Sequence, residues 1–143
     1  MFMGEYGHVL DPKNRVIIPA RFREGLEGKF IITSGLDGCL YLLTMKAWES
    51  FVEQLAGLPF TKQTREFRRF FTQNAAEAEI DNQGRVLIPQ NLKALAGIDK
   101  DVVFVGVIDK IELWAKERLD ESQADDSMEN IAERMSTEFG LRL

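Results

Sequence analysis

The chain has 143 residues, of which 45% are hydrophobic and 29% charged, and its formal net charge is −5. This length suits one compact domain or two small units that share a core, and the composition is that of an ordinary globular protein. The single cysteine, Cys39, excludes an internal disulfide framework, and no apolar run approaches the ~20 residues of a membrane span. Residues 1–5 lack the basic and apolar stretches of a signal peptide, so we expect a cytoplasmic protein with no membrane partner.

The negative charge is concentrated near the C-terminal end. Residues 115–143 hold four basic and eight acidic side chains, so the other 114 residues carry a net charge of only −1. Basic residues cluster in two segments of that larger part: Lys13, Arg15, Arg21, Arg23 and Lys29 in the first, and Lys62, Arg65, Arg68 and Arg69 in the second. The overall charge therefore does not exclude a nucleic-acid partner.

The first predicted elements are a short strand, a tight turn and a second strand. Residues 8–10 lead into a turn that begins at Asp11, whose carboxylate can accept hydrogen bonds from backbone N–H groups two residues on. Asn14 stands at the fourth position, where its side chain tolerates a left-handed backbone. The β-branched run 16–18 predicts the strand that follows.

A short helix and a hairpin are predicted to complete this first unit. Pro19 is well suited to begin a helix over residues 20–24, and Gly25 is expected to end it. Residues 29–33 and 39–43 then predict the two strands of a hairpin.

Two amphipathic helices are predicted next. Thr44 can cap the first, which carries an apolar stripe formed by Trp48, Phe51, Val52 and Leu55. Thr61 can cap the second, which carries Phe67, Phe70 and Phe71 together with Arg65, Arg68 and Arg69. We interpret these three arginines as structural ion pairs or an oligomer interface in preference to DNA contacts.

The second half of the chain repeats the first at an offset of 70 residues. Residues 11–19 and 81–89 share five of nine positions, namely Asp11/Asp81, Arg15/Arg85, Val16/Val86, Ile18/Ile88 and Pro19/Pro89. Here Gly84 replaces Asn14, residues 90–95 predict the short helix, and Gly97 is expected to end it. The hairpin of residues 101–105 and 111–114 follows at an offset nearer 72. After a polar stretch, Met128, Ile131, Met135 and Phe139 predict an amphipathic C-terminal helix.

Several motifs, in order along nearly the whole chain, resemble the MraZ family. The stretches that carry the resemblance are residues 1–6, 11–23, 35–40, 69–71, 81–85 and 111–114. The resemblance implies a mainly β protein with α-helices (α+β). It also implies two tandem AbrB/SpoVT-like swapped-hairpin units that form a pseudo-twofold β-barrel, with helices between and after them. On this basis we divide the chain into two DNA-binding units, residues 5–47 and 76–119, linking helices at 48–75, and an acidic linker with the C-terminal helix at 120–143.

The resemblance also implies a function. MraZ proteins are transcriptional regulators, most often repressors, that act on the division and cell-wall gene cluster. They associate with the nucleoid and assemble into ring-like homo-oligomers that bind tandem short repeats in double-stranded DNA. The family's DNA-contact motif, Asp-x-x-x-Arg, carries over to Asp11/Arg15 and Asp81/Arg85. No cofactor and no small-molecule substrate are expected.

The chemistry of the repeated turn agrees with that expectation. An arginine on a rigid turn presents a planar fork that can bind phosphate or guanine in bidentate fashion, and a neighbouring carboxylate can hold it in one rotamer. Duplication and oligomerisation multiply such contacts and raise the affinity through effective concentration. The candidate DNA contacts are Asp11, Lys13, Asn14, Arg15, Arg21, Arg23, Asp81, Gln83 and Arg85. The first turn is the more basic one, because Lys13 stands where the second turn has Gln83.

Simpler interpretations remain open for parts of this set. A single Asp-x-x-x-Arg motif could be only a salt bridge that pins a turn, and Lys13, Arg21 and Arg23 could be merely solvated. The whole chain could also be a non-catalytic oligomeric assembly module that uses its acidic C-terminal helix and its aromatic helices as contact surfaces.

An enzyme or a metal site is not predicted. Glu77, Glu79 and Asp81 alternate along a predicted strand, which indicates a solvated or interface face more than acid–base catalysis. His8 is the only histidine, and Cys39 lies in an apolar strand, so a zinc site would lack two ligands. Phosphate-binding and nucleophile motifs are absent from the sequence.

Overall fold

The computed structural model describes residues 1–123 and 125–142, which form eight strands and six helices. The strands are β1 (Phe2–Val9), β2 (Arg15–Ile17), β3 (Lys29–Ser34), β4 (Leu40–Thr44), β5 (Ala76–Glu79), β6 (Arg85–Leu87), β7 (Asp101–Ile108) and β8 (Ile111–Ala115). The helices are α1 (Ala20–Leu26), α2 (Met45–Ala56), α3 (Lys62–Thr72), α4 (Gln90–Leu95), α5 (Lys116–Glu121) and α6 (Met128–Phe139). The predicted α+β class is confirmed. None of these helices is both long and apolar enough to span a membrane.

The strands exchange partners between the two halves of the chain. Six antiparallel strands form one sheet in the order β1-β7-β8-β4-β3-β5, so β1 pairs with the hairpin of the second half and β5 with that of the first. The remaining two strands, β2 and β6, pair with each other as a short antiparallel ribbon. Each half therefore depends on the other for its strand partners.

The strand register reveals an approximate twofold axis. Val16 lies opposite Val86, its counterpart at an offset of 70 residues. Tyr41 lies opposite Glu112, so the offset between β4 and β8 is 71, one residue less than the sequence pattern indicated. Because the sheet order reads the same after the two halves are interchanged, the duplication found in the sequence is also a duplication in space.

The two repeated turns connect the sheet to the ribbon. Asp11 N–H donates to the carbonyl of Arg15, and Asp81 N–H donates to that of Arg85, so β1 turns into β2 and β5 into β6. The pairings among the described residues thus form a six-stranded sheet and a two-stranded ribbon, and not one continuous closed ladder.

One hydrophobic core lies between the ribbon, the short helices α1 and α4, and the sheet. Its largest side chains of less than 2% exposure are Ile18, Phe22, Leu26, Phe30, Ile32, Leu40, Leu42, Ile88, Leu92, Phe104, Ile111 and Leu113. Both halves contribute to it at matching positions, so the two units share one core and position the two turns relative to each other.

Most local predictions are confirmed, with three differences. Thr44 and Thr61 cap α2 and α3, and Gly97 follows α4 with φ of 64°. Helix α1 continues through Gly25 and ends at Glu27, whose left-handed backbone (φ 59°, ψ 36°) takes the role predicted for the glycine. Strand β1 is much longer than predicted because it pairs with β7 along its full length, and α5 was not predicted.

Candidate nucleic-acid interface

The β2–β6 ribbon has one buried and one outward face. Val16 and Val86 point into the core and are 1% and 2% exposed. On the other face Arg15 lies opposite Leu87, and Ile17 lies opposite Arg85. Directly opposed residues of an antiparallel pair point to the same side, so the two arginines share the outward face. We call this surface, formed by Arg15, Ile17, Arg85 and Leu87, the ribbon face.

The first turn holds its arginine through a single aspartate. Asp11 Oδ1 accepts hydrogen bonds from the backbone N–H groups of Lys13 (2.9 Å) and Arg15 (2.8 Å), while Oδ2 accepts one from Arg15 Nε at 2.8 Å. Asn14 has φ of 61°, the left-handed conformation predicted for it. One carboxylate therefore fixes both the turn and the arginine that follows it.

The second turn repeats this geometry. Asp81 Oδ1 accepts from the N–H groups of Gln83 (2.8 Å) and Arg85 (2.9 Å), and Oδ2 accepts from Arg85 Nε at 2.9 Å. Gly84 has φ of 77° at the position of Asn14. The two Asp-x-x-x-Arg motifs thus form turns of the same geometry with equivalent hydrogen bonds.

These hydrogen bonds keep both aspartates ionised. The pKa of Asp11 is lowered chiefly by the backbone N–H of Arg15, and that of Asp81 by the backbone N–H of Arg85. Within the described residues, the guanidinium groups of these two arginines donate hydrogen bonds only through Nε. Their Nη groups are the part of each guanidinium that can reach a bidentate acceptor.

Helix α4 of the second half supports the first turn. Lys93 Nζ donates to Asn14 Oδ1 at 2.9 Å, and Asn14 Nδ2 donates to Gln90 Oε1 at 3.1 Å. The backbone N–H of Ile88 donates to the Asn14 carbonyl at 2.8 Å. Lys93 and Gln90 were not among the predicted site residues, although the 70-residue offset aligns Lys93 with the candidate Arg23.

Helix α1 of the first half supports the second turn in return. Ile18 N–H donates to the Gly84 carbonyl at 2.9 Å, and Arg23 Nε donates to the Ile18 carbonyl at 2.9 Å. The Arg23 guanidinium then lies over Gly84, where a Cβ atom would be only 2.7 Å from its Cζ. Arg23 is therefore half-buried beside the second turn, whereas Lys13 and Arg21 are exposed.

The side chains considered for catalysis or metal binding lie in ordinary surface or core positions. Glu77 and Glu79 are exposed on edge strand β5. Cys39 is buried, which raises the pKa of its thiol to about 12. Burial, followed by the charge of Arg23, lowers the pKa of His8. Across residues 1–123 and 125–142, no group of three His, Cys, Asp or Glu side chains could hold a metal ion.

The basic cluster on α3 binds backbone and aromatic groups. Arg68 donates to the carbonyls of Leu55, Ala56 and Leu58, so it closes the end of α2. Arg65 lies over the ring of Phe60 at 5.2 Å from the ring centroid. The ion pairs predicted for this cluster are not found among residues 1–123 and 125–142; Arg68 and Arg65 instead make carbonyl and cation–π contacts within the chain. The predicted oligomer interface stays a prediction.

The chain is similar to one family model and to several named proteins over nearly its whole length. A family model described as "MraZ protein, putative antitoxin-like" matches residues 1–70 and again residues 71–140. The chain is 54% identical over 141 residues to the transcriptional regulator MraZ of Lachnoclostridium phytofermentans, covering 99% of both chains. It is 51% identical to the protein of the same name from Clostridium beijerinckii, covering 95% of this chain and 97% of that one. The protein of the same name from Clostridium tetani is also 51% identical, and the match covers 99% of this chain and 100% of that one.

Proposed function

Since the chain belongs to the MraZ family of transcriptional regulators, we propose that it regulates transcription by binding double-stranded DNA through the ribbon face. The observation that carries this proposal is the pair of aspartate-held arginines, Arg15 and Arg85, on one outward surface. Within the described residues, both guanidinium groups use only Nε for hydrogen bonds, so their Nη groups stay available to DNA.

The dimensions of the ribbon suit the major groove. A two-stranded β-ribbon fits into the major groove of B-DNA, where arginine pairs with guanine O6 and N7. Arg15 and Arg85 are diagonal neighbours across the two strands, a relation that places residues about 7–8 Å apart. Both guanidinium groups can therefore reach a few consecutive base pairs at the same time.

Neighbouring cations add attraction to the DNA backbone. Lys13 and Arg21 are exposed, and Arg23 is half-buried beside the second turn. In this proposal Asp11, Asn14, Asp81 and Gln83 shape the turns, while the basic side chains approach phosphates. Such contacts release counterions, so the affinity should fall steeply as salt concentration rises.

The family resemblance supports a proposal for the biological setting. We propose that the protein acts as a repressor of the division and cell-wall gene cluster at tandem promoter repeats, in the cytoplasm and associated with the nucleoid. Residues 5–47 and 76–119 serve as the DNA-binding units, residues 48–75 as linking helices, and residues 120–143 as a linker with a contact helix.

Self-association into a ring-like homo-oligomer is part of the same proposal. Helix α6 is amphipathic, yet none of its described side chains is buried, and Met128 and Phe139 are 66% and 72% exposed. Its segment is acidic, whereas α3 carries Lys62 and three arginines. Contact between α6 of one subunit and the α2–α3 region of the next would cover the apolar face and pair opposite charges.

The DNA-binding proposal is tested by replacing the two arginines. We expect Arg15→Ala to lose about 10- to 100-fold in affinity for the chain's own upstream DNA, and Arg85→Ala to weaken it less, because the first turn carries Lys13. Fluorescence anisotropy at several salt concentrations measures both effects. Lys116→Ala, which removes an exposed positive charge from α5 outside the ribbon face, is the control for loss of one positive charge.

Two results would contradict the proposal. Wild-type affinity of a folded Arg15→Ala variant would show that the ribbon face does not bind DNA. A stable oligomer that shifts no DNA fragment would instead favour the assembly-module alternative.

A further inference from the structure

Two exposed apolar side chains lie on the ribbon face beside the arginines. Ile17 is 44% exposed and Leu87 is 58% exposed, and they occupy equivalent positions in the two halves. Ile17 and Leu87 do not contribute to the hydrophobic core, because Val16 and Val86 form the buried side of the ribbon. A polar β-branched residue such as threonine would satisfy the strand preference equally well. The ribbon therefore presents apolar surface at the place where the proposed ligand binds.

We propose that Ile17 and Leu87 contact the C5-methyl groups of thymine bases in the major groove. This inference rests on the proposed DNA-binding function and adds a chemical basis for sequence selection to it. Thymine is the base that presents a methyl group in the major groove, and apolar side chains are the groups that recognise it. The two side chains thus select thymine, while the arginines bind guanine or phosphate.

The register places each apolar side chain next to one arginine. Leu87 is directly opposite Arg15, and Ile17 is directly opposite Arg85, a relation with Cβ atoms about 4.5–5.5 Å apart. Stacked bases are about 3.4 Å apart along one strand. Each selected thymine should therefore lie within about one or two base pairs of an arginine contact. Ile17 and Leu87 are diagonal neighbours, so their two thymines should be about two steps apart.

The hydrogen bonds of the turns make this arrangement rigid. Ile88 N–H donates to the Asn14 carbonyl, and Ile18 N–H donates to the Gly84 carbonyl. These hydrogen bonds join β2 and β6 to each other at both ends of the ribbon. A second protein copy is a poorer occupant of the ribbon face. It would bury the outer guanidinium groups of Arg15 and Arg85 and would have to supply an anion for each.

The test removes single methyl groups from the DNA. A duplex recovered from random DNA by binding to the full-length protein is resynthesised with deoxyuridine in place of each thymine in turn. We expect wild-type affinity to fall about fourfold at each of two positions, the effect of one buried methyl group. Ile17→Ala should abolish the loss at one position, and Leu87→Ala should abolish it at the other. Met3→Ala, which removes an exposed apolar side chain from β1, should leave both losses unchanged.

The outcomes separate this inference from the function on which it rests. A duplex that binds with no effect of deoxyuridine, or an effect that persists in both ribbon variants, would overturn the role of Ile17 and Leu87 and leave DNA binding intact. Failure to recover any duplex would remove both proposals. A DNA-free Ile17→Ala variant of lower oligomeric mass would assign these side chains to a subunit interface, which overturns the inference. Thermal unfolding of each variant verifies that it is folded.

Discussion

At the scale of single residues, the two turns reach the same conformation with different amino acids. Gly84 has φ of 77°, and the Arg23 guanidinium occupies the space where a Cβ atom would project. Asn14 has φ of 61°, and its side chain bonds Lys93 and Gln90 from the other half of the chain. In the second turn the Arg23 guanidinium thus occupies the space that a side chain would take, whereas in the first turn the Asn14 side chain bonds the other half of the chain.

Gly84→Ala should destabilise the protein more than Gly28→Ala does. Both glycines have positive φ, so either substitution costs about 1–2 kcal/mol of backbone strain. A Cβ at residue 28 meets nothing within 4 Å, whereas at residue 84 it displaces Arg23 from the Ile18 carbonyl, which costs about 1 kcal/mol more. Urea unfolding measures the difference, and equal losses would mean that Arg23 moves aside without cost.

At the scale of secondary-structure elements, α3 and α6 have similar sequence patterns and different surroundings. Thr61 caps α3 and Ser127 caps α6 in the same way, and both helices carry an apolar face. Helix α3 packs on the sheet, where Phe71 is buried and its carbonyl accepts a hydrogen bond from Thr33. Helix α6 buries no described side chain against the rest of its own chain. Met128 and Phe139 on its apolar face are exposed, and the subunit contact proposed above would cover them.

Ile131→Glu should weaken self-association without affecting the fold. The substitution places a charge on the apolar face of α6, and we expect at least a tenfold increase in the dissociation constant of the oligomer. Sedimentation equilibrium measures this change. Thr137→Glu adds the same charge at an exposed α6 position and is the matched control. An unchanged mass for Ile131→Glu would show that α6 is not the contact surface.

At the scale of the whole molecule, strand exchange makes the two halves one cooperative unit. Strand β1 has its partner in β7, β5 has its partner in β3, and β2 pairs with β6. Each interface crosses between the halves, and the core draws on both. The two arginines keep a constant relative position because the halves cannot move independently.

Residues 1–74 and 75–143, produced as separate chains, should fold only in association. Either half alone leaves strand edges and core side chains without partners, apart from those that a second copy of itself could supply. We expect the mixed halves to form a one-to-one complex with a single cooperative thermal transition, measured by sedimentation and circular dichroism. A folded monomeric half would contradict this dependence.

Features that depend on neighbouring residues were determined by the sequence itself. The Asp-centred turns, the left-handed fourth position, the threonine caps and the hairpins all depend on side-chain chemistry within a few residues. The duplicated pattern likewise located both arginines. The end of α1 was misplaced because a left-handed cap was assigned to Gly25, whereas Glu27 adopts that conformation.

The tertiary structure alone decided which strands and side chains meet across the two halves. A period-two pattern identifies a strand face but not its partner, so it could not extend β1 to Phe2 or pair it with β7. Nor could it place Lys93 and Gln90 on Asn14, contacts that span 79 and 76 residues of sequence. The shared outward direction of Arg15 and Arg85 arises from the register of β2 against β6, which the common core holds in place.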